Sequence, residues 1–529
     1  MKLLNRIIIL LSTVYIIWRL FTIPTEHGIV SIIFACIFLI IEIIDFVELI
    51  VIYFNSITKD RSNIYKEQKY KAEDVDIIIP TINESMNVIT ETLEGVRNID
   101  FDKNKLHVYV SDDGNRKDVE KLTNKFGFTY ITRCKNQKEN KGAKAGNLNF
   151  ALKNSSSEYI LILDCDMKPK KDILNKLLPY MLIDENLGFV QAPQSFVNPD
   201  IFQYRFKIYN YIPNDQNYFY NVLQNSNNSI NAVVMCGTNV IIRRKALENK
   251  QVNGFDEEII AEDFATGLLI QNAGYKTLYV NENVAEGYEE ESLSGFIKQR
   301  ERWQRGCIRT GKKYNILRMK GLNVKQKLSY IIGINYWMSY IKTILFLIAP
   351  ILFEFFGIYL ISCNWVTFAL LWIPQYLLKR YIIDLNYYGM SSATWSKIYQ
   401  VIFAPILSVT ALLEAIGIRK KNFNVSSKSV NNNSNKKYNI ILFFSHFTFL
   451  ILNMIAYFKS LNNIISNQYV LMTIFWSIAN IIYLIIALIF DIQTENYQVQ
   501  EYKHKYSYNK LAILKIFVNF LTVGDKRDA

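Results

Sequence analysis

Cysteine and histidine are scarce in this sequence, which narrows the chemistry that it can perform. The chain of 529 residues contains six cysteines and four histidines. No two cysteines form a CxxC pair, so we predict neither a disulfide framework nor a zinc site. The scattered histidines argue against a histidine-ligated metal and against a Ser-His-Asp triad. Carboxylate side chains must therefore hold any metal ion that the protein binds.

Positive charge is in excess, and its position matters more than its amount. The formal net charge is +13. Lysine and arginine crowd beside apolar runs, as they do in the cytoplasmic flanks of membrane helices. The sequence has no RNA-binding signature and no recognition-helix motif, so we expect no nucleic acid partner. The excess charge favours contact with a lipid bilayer.

Long apolar runs flank a polar middle. The runs at 7–22 and 29–54 predict an uncleaved transmembrane hairpin, because a helix of ~20 apolar residues crosses a bilayer. Four more runs follow the polar middle, at 334–361, 364–379, 439–459 and 468–491. The stretch 393–417 is amphipathic, and it either spans the membrane or lies along its interface.

The positions of the charges predict how the chain sits in the membrane. Lysine and arginine flanks place both termini and the polar domain in the cytosol of a multi-pass plasma-membrane protein. Six helices then span the membrane, provided that residues 393–417 lie in the membrane interface. We predict four parts. A transmembrane hairpin occupies residues 1–54, and a cytosolic domain follows at 55–325. A transmembrane channel region with interfacial helices occupies 326–491, and a cytosolic tail occupies 492–529.

The polar domain has the pattern of an α/β fold. Short apolar runs predict strands at 75–79, 106–111, 128–132, 159–163 and 187–191. Segments with helical character lie between them, at about 85–97, 116–125, 144–153 and 170–182. Strands that alternate with helices predict a mainly parallel sheet. Ligands bind beyond the carboxyl ends of such strands, so the chemistry is expected just after each strand.

Polar residues do follow three of these strands. Residues 80–84 (PTINE) follow the first strand, 112–114 (DDG) the second and 164–166 (DCD) the fourth. A single acid in such a position is usually a helix cap, but three in register favour a binding site. Asp164 and Asp166 would repel each other without a cation between them. Hard divalent ions such as Mg²⁺ or Mn²⁺ suit these oxygen ligands.

Other motifs supply the remaining groups of a candidate site. Asp113 can accept hydrogen bonds from a base or a ribose, and Lys144 can place a positive charge on a phosphate. The alternative for Lys144 is a solvated helix start. Glu262 and Asp263 open a helix-like run, where an acid either stabilises the helix N-terminus or removes a proton from a sugar hydroxyl.

The segment 299–303 (QRERW) is the sharpest of these motifs. Trp303 offers an aromatic platform for a sugar ring, Arg302 can grip a diphosphate with its forked donors, and Gln299 can form hydrogen bonds. The alternative is an amphipathic helix at the membrane surface with a tryptophan of the interfacial belt. One helix can both bind a substrate and lie at the membrane surface.

Together these motifs resemble family 2 of the glycosyltransferases, in its processive membrane-integrated branch, over about residues 55–430. The likeness is greatest to bacterial cellulose synthase catalytic subunits. It implies an α-helical membrane protein with an inserted cytosolic domain of the GT-A type. It also implies UDP-binding residues, a metal-binding pair, a general base and acceptor-binding residues. The UDP-binding residues would be Thr81, Glu84, Asp113, Lys144 and Arg302. The metal would be bound by Asp164 and Asp166, and the general base would be Asp263. The acceptor would be bound by Trp303, Gln299, Cys236 and Glu262.

A gating loop is also implied by the resemblance. Residues 423–428 (FNVSSK) are similar to the family's FxVTxK motif, within a loop predicted at 419–438. The residues that match are Phe423, Val425, Ser426 in place of threonine, and Lys428. A loop of this kind excludes water from a reactive donor.

The sequence departs from the family in three segments. The family's TED motif stands here as 261–263 (AED), and its FFCGS segment as 234–238 (VMCGT), which leaves the linkage of the product open. No PilZ-type segment follows the last apolar run, so we expect no cyclic-di-GMP site within this chain. Accessory subunits are a further class of partner that the sequence does not identify.

The resemblance implies a processive, inverting β-glucan synthase that polymerises glucose from UDP-glucose and moves the growing polysaccharide across the plasma membrane. Its product would be β-1,4-linked or mixed β-1,3/1,4-linked glucan. The alternatives are a synthase of β-1,3-glucan or another UDP-hexose polymer, a non-processive enzyme that glycosylates a lipid carrier, and a transporter with a nucleotide-sensing domain.

Overall fold

The computed structural model describes residues 2–56, 73–133, 142–206, 214–290, 292–386, 393–418, 432–464 and 469–492. Two long helices come first, α1 (Lys2–Leu20) and α2 (Gly28–Ser56), and they pack against each other. Their apolar side chains face outward in large part, as a lipid environment favours. The Nε of Arg19 donates a hydrogen bond to Glu42 Oε2 at 2.8 Å, so this pair neutralises its own charge.

The polar middle folds around two sheets. Their strands are β1 (Val75–Thr81), β2 (Leu106–Asp112), β3 (Thr129–Ile131), β4 (Tyr159–Ile162), β5 (Met167–Pro169), β6 (Leu187–Gln191), β7 (Ser195–Phe196), β8 (Val240–Arg243), β9 (Lys276–Tyr279) and β10 (Ala285–Gly287). The main sheet has the order β3-β2-β1-β4-β8-β6-β9, and β5, β10 and β7 form a small second sheet. Within the main sheet as described, β8 runs antiparallel to its neighbours and the other pairings are parallel.

Helices of the α/β domain pack against the main sheet or against the long helices that follow. They are α3 (Met86–Arg97), α4 (Lys117–Lys125), α5 (Ala143–Lys153), α6 (Ile173–Ile183), α7 (Ile201–Arg205), α8 (Asn225–Ser229), α9 (Arg244–Leu247), α10 (Glu262–Asn272) and α11 (Leu293–Tyr314). Successive strand residues point to opposite faces. Ile77 and Ile79 therefore join one buried core, whereas Ile78 joins the other.

The strands and helices expected over residues 75–191 are all present, so the α/β fold with a mainly parallel sheet is confirmed. Strand β8 was not expected. A run of three apolar residues is too short to reveal its partner or its direction. Its antiparallel position in the centre of the sheet depends on contacts with β4 and β6, which are distant in sequence.

Three neighbouring parallel strands, β2, β1 and β4, present their carboxyl ends at one edge of the sheet. Thr81 at the end of β1 is paired in register with Asp112 at the end of β2. The end of β4 leads directly to Asp164. The polar residues that the sequence places after these strands therefore lie at one common edge.

Five long helices follow the α/β domain. They are α12 (Val324–Phe356), α13 (Trp365–Asn386), α14 (Ala393–Ile416), α15 (Asn432–Asn462) and α16 (Val470–Ile492). Among the described residues, six helices are long and apolar enough to cross a membrane, which fits a multi-pass membrane protein. These candidates lie at 3–20, 25–51, 324–356, 394–416, 435–462 and 470–492.

The number of candidate spans agrees with the six predicted, but one member differs. Length and composition select 394–416, for which we predict an interfacial position, and they omit α13. Helix α13 carries Lys379, Arg380 and Asp384 in its last turns, which lowers its mean hydropathy. An interfacial position of α14 stays a prediction.

An aromatic cluster joins the α/β domain to the long helices. Phe202 of α7 lies 5.1 Å from Phe403 of α14 and 5.1 Å from Phe490 of α16, measured between ring centroids. Phe296 of α11 stacks on Phe403 at 5.1 Å. Arg205 lies over the Phe490 ring at 4.5 Å. Buried aromatic contacts of this kind hold the two parts in one relative position.

A buried ion pair in the sheet gives a test of the fold. The Nη2 of Arg244 donates to Asp76 Oδ2 at 2.9 Å, and Ser157 donates to the same carboxylate through its N–H and its hydroxyl. Asp76→Ala would remove the buried carboxylate that balances the Arg244 charge, so we expect a loss of stability of about 3–5 kcal/mol. Thermal unfolding in detergent measures it.

The matched control removes another partner of the same arginine. Glu248 lies 3.7 Å from Arg244, but its side chain is 66% exposed. Glu248→Ala should cost about 0–1 kcal/mol, because water screens an exposed pair. Equal losses of stability in Asp76→Ala and Glu248→Ala would contradict a stabilising role for the buried Asp76–Arg244 pair.

Candidate active site

One cavity of about 1760 Å³ extends from the edge of the sheet into the long helices. Its lining includes all of the predicted site residues that lie within the described part of the chain. These are Thr81, Glu84, Asp113, Lys144, Asp164, Asp166, Cys236, Glu262, Asp263, Gln299, Arg302 and Trp303. The structure therefore brings together, around one space, side chains that are spread over more than two hundred residues of sequence.

The turn after β1 is a closed hydrogen-bonded unit. Glu84 Oε2 accepts from the Thr81 hydroxyl at 2.7 Å and from the N–H of Ile82 at 2.8 Å. The guanidinium of Arg116 donates to the Thr81 hydroxyl and to the Glu84 carbonyl oxygen, at 2.7 and 2.6 Å. The turn is thus held in one shape, as a preformed cradle for a ligand requires.

Asp113 is held by an arginine that the sequence did not single out. Arg133 donates from Nε to Asp113 Oδ1 and from Nη2 to Oδ2, each at 2.7 Å. This fork-to-fork geometry is the strongest form of the pair. Asp112, by contrast, accepts the backbone N–H groups of Gly114 and Arg116, and it has a structural part in the turn. Arg133 follows β3 at the same sheet edge. Its position just after a predicted strand could have identified it as a candidate site residue.

Lys144 supplies positive charge among the buried acids. Its Nζ lies 2.5 Å from Asp164 Oδ1 and 4.0 Å from Glu262 Oε1, and it donates to the Gly237 carbonyl oxygen at 2.9 Å. Burial alone would lower the pKa of Lys144, but the carboxylates of Asp164 and Glu262 hold it above its ordinary value. Burial raises the pKa of Asp164, Lys144 opposes that rise and Asp166 adds to it.

The two acids that begin α10 both have a raised pKa. Burial and the charge of Asp263 raise the pKa of Glu262 to about 7. Burial also raises the pKa of Asp263, while Lys144 and the N–H of Phe264 oppose that rise. The Phe264 N–H donates to Asp263 Oδ1 at 2.7 Å. A carboxylate with a raised pKa is a better general base near neutral pH than a solvated one.

Helix α11 brings the motif at 299–303 to the opposite wall. The Trp303 ring lies 6.5 Å from that of Trp337 on α12, in an edge-on arrangement. The positive charge of Arg302 acts across the cavity on Asp263, where it partly opposes the rise in pKa that burial causes. This wall therefore offers an aromatic face and a cation to the space in front of the acids.

The segment around Cys236 lies next to Asp263. The N–H of Cys236 donates to Gln191 Oε1 at 2.9 Å, and Gln191 Nε2 donates to the Thr238 carbonyl oxygen at 2.8 Å. Gly237 has φ of 70°, and a Cβ at that position would lie 2.9 Å from Asp263 Oδ2. Glycine is thus required here by both conformation and space. An acceptor contact by Cys236 stays a prediction.

A row of aromatic rings on α13 lines the cavity within the long helices. Trp372 stacks on Tyr376 with ring centroids 4.5 Å apart and an interplanar angle of 15°, and on Phe368 at 5.7 Å and 11°. The rings of Trp372 and Trp476 are in an edge-on arrangement, with their centroids 5.0 Å apart. Sequence reasoning did not separate these rings from belt aromatics. Their four-residue spacing was the signal, since it places Phe368, Trp372 and Tyr376 on one helix face.

The comparison with known proteins agrees with this geometry. Residues 159–407 match the family described as glycosyl transferase family group 2. The chain is 33% identical over 354 residues to the UDP-forming cellulose synthase 1 catalytic subunit of Komagataeibacter xylinus, across 67% of this chain and 47% of the relative. It is 31% identical over 422 residues to cellulose synthase 2 of Novacetimonas hansenii, across 79% of this chain and 26% of the relative.

The chain thus contains a family 2 glycosyltransferase domain that is similar to those of cellulose synthases. It spans about half, or less, of the length of the curated relatives that it matches. The α/β domain with its mainly parallel sheet is of the GT-A kind expected for this family. A mannosyltransferase from Pyrobaculum calidifontis, solved with GDP-Man and Mn²⁺, superposes on 74% of the chain and 100% of its own length at 18% identity and a TM-score of 0.48. So loose a superposition carries no conclusion about ligands.

Glycosyltransferases of this family are expected to use a divalent metal, and the residues present fit one. The described residues contain no group of three or more histidine, cysteine and acidic side chains that could enclose an ion. Mg²⁺ does not require such a group, because it is commonly bound by one or two carboxylates together with waters and substrate phosphates. Asp164 and Asp166 supply two carboxylates that face the cavity. The donor set therefore suits Mg²⁺ or Mn²⁺ once a diphosphate is present.

Residues 419–431 of the predicted gating loop, with its FxVTxK-like motif, lie outside the described residues, whereas residues 432–438 form the start of α15 and not a loop. The residues outside include Phe423, Val425, Ser426 and Lys428. The loop at 419–431 therefore stays a prediction. So does the cytosolic tail that we predict after residue 491, of which the described chain includes residue 492 alone.

A close helix contact ties the two walls of the glycosyltransferase site together and can be tested. Gly306 of α11 packs on Ala261, and a Cβ at Gly306 would lie 2.8 Å from the Ala261 backbone nitrogen. Gly306→Ala should push Ala261, and with it Glu262 and Asp263, away from Trp303. A misplacement of about 1 Å can cost on the order of 10²-fold in rate, which a UDP-release assay measures.

The control is a glycine on the same helix. A Cβ at Gly311 would lie 2.7 Å from Cδ1 of Ile334, which is the flexible end of a side chain. Gly311→Ala should retain most of the activity, since that end can move. The contact has no role in positioning if both variants are equally active.

Proposed function

We propose that the chain is a processive, inverting glucan synthase that transfers glucose from UDP-glucose and moves the polymer through its long helices. The observation that carries the proposal is the single cavity of about 1760 Å³, which runs from the acids at the sheet edge to the aromatic row of α13. An enzyme that releases a small product needs no such passage beyond its site. The UDP-forming cellulose synthases among its relatives support a UDP-sugar donor.

The donor would bind at the sheet edge. Asp113, held by Arg133, offers its remaining lone pairs to the base or ribose, and the turn at Thr81 and Glu84 closes around the nucleotide. Lys144 and Arg302 would neutralise the diphosphate. Asp164 and Asp166 would hold the divalent ion, which stabilises the charge of the leaving UDP when it is bound.

Asp263 would act as the general base. It begins α10 within the cavity, next to Gly237, and burial makes its carboxylate more basic. It would take the proton of the acceptor hydroxyl, which attacks the anomeric carbon as the bond to UDP breaks. A single displacement inverts that carbon, because no enzyme nucleophile intervenes. Trp303 would stack on the terminal sugar of the acceptor and hold its register.

The growing chain would leave along α13. Sugar rings stack on aromatic faces, and Trp372 and Tyr376 present such faces along the cavity wall. Tyr359, just after α12, and Tyr469, just before α16, line the same cavity with their ring centroids 5.2 Å apart. We place the α/β domain in the cytosol and this passage across the plasma membrane, in accord with the positive flanks of the helices.

The product decides between the candidate linkages. Membranes that contain the protein are incubated with UDP-glucose and Mg²⁺ or Mn²⁺, and the polymer is digested with linkage-specific glucanases. We expect an insoluble or high-mass glucan that a β-1,4-specific or mixed-linkage enzyme degrades. A β-1,3-glucan, or a polymer from another UDP-hexose alone, would move the assignment within the family. One sugar per lipid carrier, or no product from any UDP-hexose, would refute processive synthesis.

Loss of the base gives a second test. Asp263→Asn keeps the shape of the side chain but removes its basicity, so polymer synthesis should fall by roughly 10²–10⁴-fold. The affinity for UDP should stay within about twofold, which isothermal titration checks. Glu262→Gln removes the neighbouring charge and leaves Asp263 in place, so it should retain more synthesis than Asp263→Asn. Synthesis by Asp263→Asn at the wild-type rate would exclude the base role.

A further inference from the structure

Arg300 lies within the motif at 299–303 but has no role in the resemblance on which the site residues were predicted. It is buried, with only 3% of its surface exposed. Its backbone position on α11 is between the glutamine and the tryptophan that we place on the acceptor side. A buried arginine requires partners for its charge, and two of the groups that Arg300 contacts, Trp303 and Gln299, are predicted acceptor residues.

The guanidinium of Arg300 lies between two aromatic rings. Its Cζ is 4.6 Å from the centroid of the Trp303 ring and 4.1 Å from that of Phe296. Phe296 belongs to the aromatic cluster that joins α11 to α14. Cation–π contacts at these distances restrict the tilt of the indole. Arg300 therefore links the orientation of Trp303 to a rigid part of the core.

The same guanidinium fixes the amide of Gln299. Nη1 of Arg300 donates to Gln299 Oε1 at 2.6 Å. An arginine side chain has donors and no acceptor, so the amide atom that faces it must be the oxygen. The amide NH₂ of Gln299 is then left to the cavity, which this residue lines. Gln299 consequently presents hydrogen-bond donors, not an acceptor, to a sugar hydroxyl.

Asp215 holds Arg300 in this position. Nη2 and Nε of Arg300 donate to Asp215 Oδ2 at 2.7 and 3.2 Å. The N–H of Asp215 donates in turn to Asp200 Oδ2 at 3.0 Å. Burial raises the pKa of Asp200 to about 7 and that of Glu289 to about 8. Asp215 is therefore the main anionic partner of the arginine near neutral pH.

We propose that Arg300, held by Asp215, is a positioning residue that sets the Trp303 indole and the Gln299 amide for the acceptor sugar, and that it thereby determines how long the growing chain stays bound. The inference rests on the proposed function. It places Arg300 on the acceptor side alone, because the contacts described above include none with Asp113, Lys144 or the metal-binding pair. Donor binding should not depend on it.

Arg300→Gln tests the proposal. It removes the charge and the fork, and it leaves a side chain of similar polarity. We expect the mean polymer length to fall by about fivefold, which is the size of effect that a cation–π contact of ordinary strength implies. UDP released by hydrolysis should rise relative to glucose incorporated, while the affinity for UDP stays unchanged. Size-exclusion chromatography of labelled product and a UDP-release assay give the two readouts.

A matched control lies on the same helix. Arg305 is also buried, but it pairs with Glu414 at 3.0 Å, and Glu414 keeps a second partner in Arg309. Arg305→Gln should lower the thermal stability without a change in polymer length or in the hydrolysis ratio. The same shortening in both variants would show that α11 merely needs its buried charges, and it would overturn the proposal.

Two conservative variants separate the contacts of Arg300. Arg300→Lys keeps a charge near Trp303 and Asp215 but lacks the fork, so polymer length should recover in part. Gln299→Glu can still accept from Arg300 but has no N–H to donate, so it should shorten the polymer as Arg300→Gln does. Wild-type length in Arg300→Gln, or in Gln299→Glu, would refute the inference. Failure of the wild-type enzyme to polymerise any UDP-hexose would instead refute the proposed function.

Discussion

Buried negative charge is the constraint on which the rest of this structure depends. Asp113, Asp164, Asp166, Glu262 and Asp263 all line one cavity, and burial raises the pKa of Asp164, Glu262 and Asp263. Arginine and lysine side chains from other parts of the chain lie among them and offset part of this cost. Lys144 lies between Asp164 and Glu262, and Arg133 grips Asp113.

The balance of charge also suggests why the site is suited to a nucleotide diphosphate. Lys144 pairs with Asp164, so the groups that would bind phosphate and metal neutralise each other. A diphosphate with its divalent ion brings both signs of charge together. The site can then exchange its internal pair for pairs with the ligand, and the net charge of the buried region changes little.

Helix α11 connects this chemistry to the membrane part. Its first turns join the aromatic cluster through Phe296, and its middle carries Trp303 and packs Gly306 on Ala261. Its later part pairs Arg305 and Arg309 with Glu414 near the end of α14. One rigid element thus touches the acid-bearing helix, the platform for the acceptor and the helix that precedes the predicted gating loop. The helix thereby gives these parts a common support, because closely packed helices have little free space.

The sequence by itself determined the class of fold and most of the candidate site. Strand–helix alternation and acids after β1, β2 and β4 were readable because the carboxyl ends of neighbouring parallel strands must meet at one edge. The tertiary structure decided what depends on distant contacts. It placed β8 antiparallel in the sheet, paired Arg133 with Asp113, and put Arg300 between Trp303 and Phe296. It also turned Trp372 toward a cavity. Sequence alone could not separate rings that face a cavity from rings that face lipid, because both faces of a membrane helix can be equally hydrophobic.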